Sequence, residues 1–132
     1  MSAPLRVLII DDEADNREVV AATFEAAGWE TTTAENGEIG LILALREHPN
    51  LIILDVMMPG KDGFAVFKEL RGDAQTQDIP VIMLTAVNTY ELGVQHDEMS
   101  MSRTLGVRPP EAFLEKPLEC DRLIALATEV AA

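Results

Sequence analysis

Residues 51–63 read Leu51-Ile52-Ile53-Leu54-Asp55-Val56-Met57-Met58-Pro59-Gly60-Lys61-Asp62-Gly63. Four apolar residues in unbroken succession stop on an aspartate and pass into a loop carrying proline and glycine. So short a run, set off by Pro49-Asn50 before it, reads as a strand buried on both faces; a half-exposed strand would alternate. Residues 5–10 repeat the pattern: an apolar run interrupted only by Arg6 stops abruptly at Asp11-Asp12. Residues 81–84 form a third such run, opened by Pro80 and ending at Thr85, and residues 112–114 a shorter one leading to Lys116-Pro117. Residues 29–33, aromatic and β-branched, complete a set of five strands.

Between these runs the period changes. Over residues 15–27, Val20, Phe24 and Ala27 recur at helical spacing with Val19 and Thr23 beside them, and Gly28 follows as a C-cap. Asn36-Gly37 marks a turn before residues 38–47, where Ile39, Ile42, Leu43 and Leu45 indicate a helix. Residues 63–70 should bury Phe64, Phe67 and Leu70; residues 90–105 read as a polar, Met-rich helix; and residues 118–130 use Leu123, Ile124, Ala127 and Val130. Strand and helix thus alternate five times, without repeat, linker or low-complexity tract. This is the pattern of an α/β, doubly wound parallel sheet with helices on both faces, forming one domain over residues 1–132.

At 132 residues the chain can bury a core without disulfide or metal staples. Its net charge of −13, from 23 acidic against 10 basic residues with no Lys/Arg cluster, argues against direct nucleic-acid binding. Cys120 is the only cysteine, which excludes an intrachain disulfide and argues against a cysteine-built metal site. His48 and His96 lack metal-ligand company and read as surface residues. No apolar run has the length of a secretory signal or a membrane span, so a soluble protein of the reducing cytoplasm is expected.

The chemistry lies in how the strands end. Ligands of open parallel sheets gather at the carboxyl ends of the strands, above all where the winding reverses. Asp11 and Asp12, Asp55, Thr85 and Lys116 end four different segments at that rim. Neighbouring carboxylates repel one another, and a hard cation such as Mg²⁺ relieves that repulsion with a shell of carboxylate, carbonyl and water oxygens. Asp11, Asp12, Asp55 and the backbone carbonyl of Met57 are candidate ligands. Lys116 is suited to hold a phosphoryl oxygen, and the Thr85 hydroxyl to donate to another. Taken singly, each has a plainer reading: acids after strands cap helices or face water, a threonine ending a strand is ordinary, and a lone lysine is solvated. Convergence on one rim is what weighs against that reading.

These pieces, with Val81-Ile82-Met83-Leu84-Thr85-Ala86 and Phe113-Leu114-Glu115-Lys116-Pro117, resemble bacterial response-regulator receiver domains, the CheY-like family, over essentially the whole chain. The resemblance implies a flavodoxin-like strand order 2-1-3-4-5. It makes Asp55 the phosphoacceptor, Asp11 and Asp12 the magnesium-binding acidic pair, Lys116 the site lysine, Thr85 the switch hydroxyl and Phe113 the switch aromatic, with a cis Lys116-Pro117 bond. It further implies a histidine kinase or histidine phosphotransfer protein as donor, a Mg²⁺-dependent self-phosphorylation rather than conventional turnover, and a downstream protein target. Met57 and Val87 stand where the family tunes phosphate lifetime; their apolar side chains cannot hydrogen-bond an attacking water, so slow self-dephosphorylation is expected.

Thr85 and Lys116 are 31 residues apart, a longer interval than the family pattern, with Pro109-Pro110 enforcing an extended turn before the fifth strand. Two rival functions remain at this level. One is a constitutive protein-binding module with the receiver fold and no phosphorylation, against which the intact acids and lysine speak. The other is a small Mg²⁺-dependent phosphohydrolase, which would need an acid/base partner and a substrate cap that do not appear. If the chain is complete, ending at Ala131-Ala132, it signals by binding another protein or relays the phosphoryl group onward. If it is part of a longer regulator, the remainder supplies the output.

Overall fold

The apolar runs pair side by side as a parallel sheet. A computed structural model describes residues 4–58, 60, 62–85, 110–116 and 119–131. Within them β1 (Arg6–Ile10), β2 (Glu30–Ala34), β3 (Leu51–Asp55), β4 (Val81–Thr85) and β5 (Ala112–Glu115) stand in the order β2-β1-β3-β4-β5. This is the expected 2-1-3-4-5 order. Every pairing is parallel, with Ile10 opposite Leu54, Asp55 opposite Leu84 and Thr85 opposite Glu115. The chain winds outward from β1 to β2, then returns to β3 on the other side, so the reversal falls between β1 and β3.

Helices α1 (Ala14–Ala26), α2 (Gly37–Glu47), α3 (Gly63–Gly72) and α4 (Cys120–Ala131) cover the sheet. On one face Leu8, Ile10, Ile52, Leu54 and Met83 pack with Ala44 of α2 and Val66, Phe67 and Leu70 of α3. On the other face Val7, Ile9, Ile53, Ile82 and Leu84 pack with Val20 and Phe24 of α1 and Leu123 and Ala127 of α4. Alternate residues of each central strand thus enter opposite cores, which is why β3 and β4 are buried at every position and read as unbroken apolar runs.

Two helices bury a narrower face than their composition suggests. In α1 only Val20 and Phe24 are buried, and Phe24 meets Trp29 edge-on at 5.0 Å. Val19, one residue out of phase, is 56% exposed, and Ala27 is the exposed C-cap, with Gly28 (φ 90°) after it. In α2 the sheet is met by Gly37, Gly40 and Ala44, while Ile39, Ile42 and Leu45 are exposed. The reason is proximity: a Cβ on Gly40 would stand 2.8 Å from Ile10 Cγ1, so small residues mark the packed side. His48, left-handed at the end of α2, is exposed as expected. The helix expected over residues 90–105, the Pro109 half of the turn, His96, Val87, Pro59 and Pro117 lie outside the described residues.

Candidate functional site

The rim above the β1–β3 reversal brings together most of the residues singled out from sequence. β3 ends on Asp55, 3% exposed. Beside it β1 runs into Asp11, 1% exposed, followed by exposed Asp12. One carboxylate oxygen from each of Asp11, Asp12 and Asp55 lies within 4.8 Å of the others. Lys116, just beyond β5, is positioned by its backbone N–H donating to the Thr85 carbonyl at 2.8 Å. Its Nζ donates to Asp55 Oδ1 at 3.3 Å and stands 3.6 Å from Asp11 Oδ2.

Asp11 is held from several sides. Its backbone N–H donates to the Ala34 carbonyl at 3.1 Å, and its Oδ1 accepts from the Glu13 N–H at 3.0 Å. The Arg17 Nη1 donates to its carbonyl oxygen at 2.8 Å. Its second carboxylate oxygen, Oδ2, is buried and accepts no hydrogen bond. A buried carboxylate oxygen that accepts no hydrogen bond, with the Lys116 ammonium at 3.6 Å, is costly unless something else satisfies it.

The electrostatics agree. Burial, then the negative charge of Asp11, pushes the Asp55 carboxyl from the usual 3.8 to about 6, against the pull of Lys116. For Lys116, burial favours the neutral amine, but the charges of Asp55 and Asp11 and the hydrogen bond to Asp55 outweigh it and raise its pKa. One ammonium does not balance three carboxylates. A hard oxygen-seeking divalent cation fits what is left: three clustered carboxylates, one with an unsatisfied buried oxygen, and no sulfur or imidazole ligand in that cluster.

The remaining predicted residues surround this centre. Thr85 is wholly buried at the end of β4, its Oγ1 3.5 Å from the Leu114 carbonyl. Met57, two residues past Asp55, is 44% exposed. Phe113 is half-buried on β5 and packs against the core shared by α2 and α3. The loop after β3 is drawn in by Val56 N–H donating to Leu84 O at 3.0 Å and Gly63 N–H to Val56 O at 2.9 Å. A Cβ at Gly63 would lie on the Asp55 carbonyl oxygen and 2.8 Å from Val56 Cα, so glycine is required for α3 to start so close to the acidic rim. The sequence pattern does not single out Arg17. Its signal is faint: a basic residue one turn into a helix that begins just after two acids.

Strand order, winding reversal and acidic rim are together the architecture of a receiver. Residues 7–128 match the family described as response regulator receiver domain, and the chain belongs to it. It is similar to the DNA-binding dual master transcriptional regulator RpaA of Synechocystis, 36% identical over 120 residues, covering 91% of this chain and 46% of that protein. It is 37% identical over 120 residues to the response regulator PleD of Caulobacter vibrioides, covering 91% of this chain and 24% of that one. The chain therefore spans less than half the length of either regulator. Among solved structures it resembles Vibrio cholerae chemotaxis protein CheY4, with a TM-score of 0.81, 28% identity and 97% and 99% of the two chains covered. No helix among the described residues is long and apolar enough to cross a membrane.

Proposed function

We propose that this chain, as one receiver domain, takes a phosphoryl group from a phosphohistidine of a histidine kinase or histidine phosphotransfer protein onto Asp55. The carrying observation is the approach of Lys116 Nζ to Asp55 Oδ1 at 3.3 Å within the three-carboxylate cluster. An Asp55 oxygen attacks phosphorus, the P–O bond of an acyl phosphate forms as the P–N bond breaks, and the imidazole leaves with its electron pair. Lys116 keeps its ammonium within reach of a phosphoryl oxygen. Asp11, Asp12 and Asp55, with the Met57 backbone carbonyl, would hold Mg²⁺, which when bound would neutralise charge on the phosphoryl oxygens. Asp55 must be ionised to attack, and burial, followed by the charge of Asp11, works against that ionisation in the metal-free site.

Thr85 supports the readout. Among the described residues its hydroxyl makes one long contact, to Leu114 O, so a phosphoryl oxygen on Asp55 competes easily for it. Shifting Thr85 loosens its hold on β5, and half-buried Phe113 then repacks; phosphorylation biases two packings of one fold. A downstream protein reads the altered surface. Water attacking the same phosphorus resets the domain, slowly, because the Met57 side chain offers that water no hydrogen bond.

The test is incubation with acetyl phosphate and Mg²⁺ followed by intact-mass measurement. One added phosphoryl group is expected in the wild type and none in Asp55→Ala. A folded wild type that gains no mass leaves a constitutive binding module; many phosphate esters hydrolysed per chain leave a phosphohydrolase.

A further inference from the structure

Arg17 contributes no atom to the acidic cluster, yet the geometry of the cluster runs through it. Its half-buried side chain reaches back from α1, and Nη1 donates to the Asp11 carbonyl oxygen at 2.8 Å. That carbonyl belongs to the peptide unit joining Asp11 to Asp12. Fixing its direction fixes the rotation between the two acids, one buried and one exposed. The other constraints act elsewhere: Ala34 O holds the Asp11 N–H, and Glu13 N–H holds Oδ1. Among the described residues, the hydrogen bond to the carbonyl of the plane leading into Asp12 is that of Arg17.

We infer that Arg17 is a positioning residue for the metal site, holding the Asp11–Asp12 peptide so that Asp11 Oδ2 and the Asp12 carboxylate face Asp55 together. This rests on the proposed function above. Arg17 works through the peptide, touching neither cation nor phosphoryl group. Polar groups that orient metal ligands in this indirect way typically contribute ten- to a hundredfold in metal affinity.

The sign of the effect separates this role from its competitors. A guanidinium near a cation site repels the cation, so if Arg17 acted only as a charge, removing it would tighten Mg²⁺ binding. If it only tethered α1 to the sheet, stability would fall and Mg²⁺ affinity would stay level. Positioning alone makes Mg²⁺ bind more weakly although a repelling charge has gone. Titration calorimetry with magnesium chloride alone, on wild type and Arg17→Met, reads the difference, and melting in EDTA verifies that the variant folds. Arg17→Met keeps most of the apolar stem and loses the donor.

About tenfold weaker Mg²⁺ binding is expected in the variant. Equal or tighter binding overturns the inference while leaving the proposed function standing. If the wild type neither binds Mg²⁺ nor gains a phosphoryl group, the proposed function fails and this inference with it. Should Arg17→Met not fold, Arg17→Gln, polar but two bonds shorter, is held to the same criterion.

Discussion

The two ends of the sheet treat buried charge in opposite ways. At the carboxyl end, Asp11 and Asp55 share one ammonium with Asp12 clustered beside them, and Asp11 Oδ2 is left without a hydrogen bond. At the amino end, the two terminal nitrogens of Arg71 of α3 are richly partnered, although its buried Nε makes no hydrogen bond. Its Nη1 donates to the Gln77 and Ile79 carbonyls at 3.1 and 2.8 Å, and its Nη2 to both Glu111 oxygens at 3.0 and 2.8 Å. Glu111 Oε2 also accepts from the Val81 N–H at 2.7 Å, and the guanidinium lies 4.8 Å from the centre of the Phe67 ring. One end is knotted shut across α3, β4 and the entry to β5; the other is held short of partners. The difference is one of charge balance: the guanidinium meets a carboxylate of its own, whereas the acidic rim carries three carboxylates beside one ammonium.

The contrast breaks first, and most heavily, at the knot. Truncating one partner of a buried, hydrogen-bonded ion pair strands the other, at a cost of about 3–5 kcal/mol. Arg71→Ala should therefore lower unfolding stability by about that amount, read from urea melts at neutral pH. Replacing both partners by apolar residues, Arg71→Met with Glu111→Leu, should recover only part of the loss, because the Gln77 and Ile79 carbonyls and the Val81 N–H lose their partners. If Arg71→Ala melts like the wild type, the amino end is not the fastening described.

A second, smaller break lies where rim and scaffold meet. Gly63→Ala forces a methyl onto the backbone of Asp55 and Val56, atoms that cannot swing aside as a side chain would. Overpacking of this kind costs about 1–3 kcal/mol. Because the displaced backbone carries Asp55, acetyl-phosphate labelling should slow more than the loss of stability explains. A variant that is destabilised but labels at the wild-type rate would separate α3 packing from the site.

Much of this contrast is legible in the amino-acid sequence, and what is hidden there has a physical reason. The parallel, doubly wound sheet, the convergence of Asp11, Asp12, Asp55, Thr85 and Lys116, and the buried faces of Val20, Phe24, Phe67 and Leu70 follow from period and from where apolar runs stop, while the strand order comes from the family resemblance. The packed side of α2 is hidden because hydrophobicity names Ile39 and Ile42, whereas closeness to Ile10 selects Gly40 and Ala44. Arg71–Glu111 spans 40 residues of sequence, and neither residue announces burial; a charge looks solvated until its partner is in view. Arg17 escapes for the same reason, since its partner is a backbone carbonyl with no side-chain signature.

The smallest break is at the rim itself, and it carries the opposite sign. In metal-free protein Asp55 titrates at about 6 against 3.8 in an unstructured chain, so the folded state holds its proton more tightly. A raised carboxyl pKa contributes stability that is fully present below 3.8 and is lost as pH rises through about 6. Stability in EDTA should therefore fall between those two pH values through this group and level off above them. Asp55→Asn, which cannot ionise, should escape that fall. A shift of this size corresponds to about 3 kcal/mol at face value, and solvent screening reduces it to about 1–2 kcal/mol. At pH 7.5 in EDTA the asparagine variant should accordingly melt higher than the wild type, although it has lost a hydrogen-bonded charge. Adding Mg²⁺ should then raise the wild type more than the variant and narrow or reverse the gap, since the cation favours the ionised carboxylate. If Asp55→Asn is instead less stable in EDTA at every pH, Asp55 is an ordinary structural ion-pair partner, and the two ends of the sheet differ only in degree.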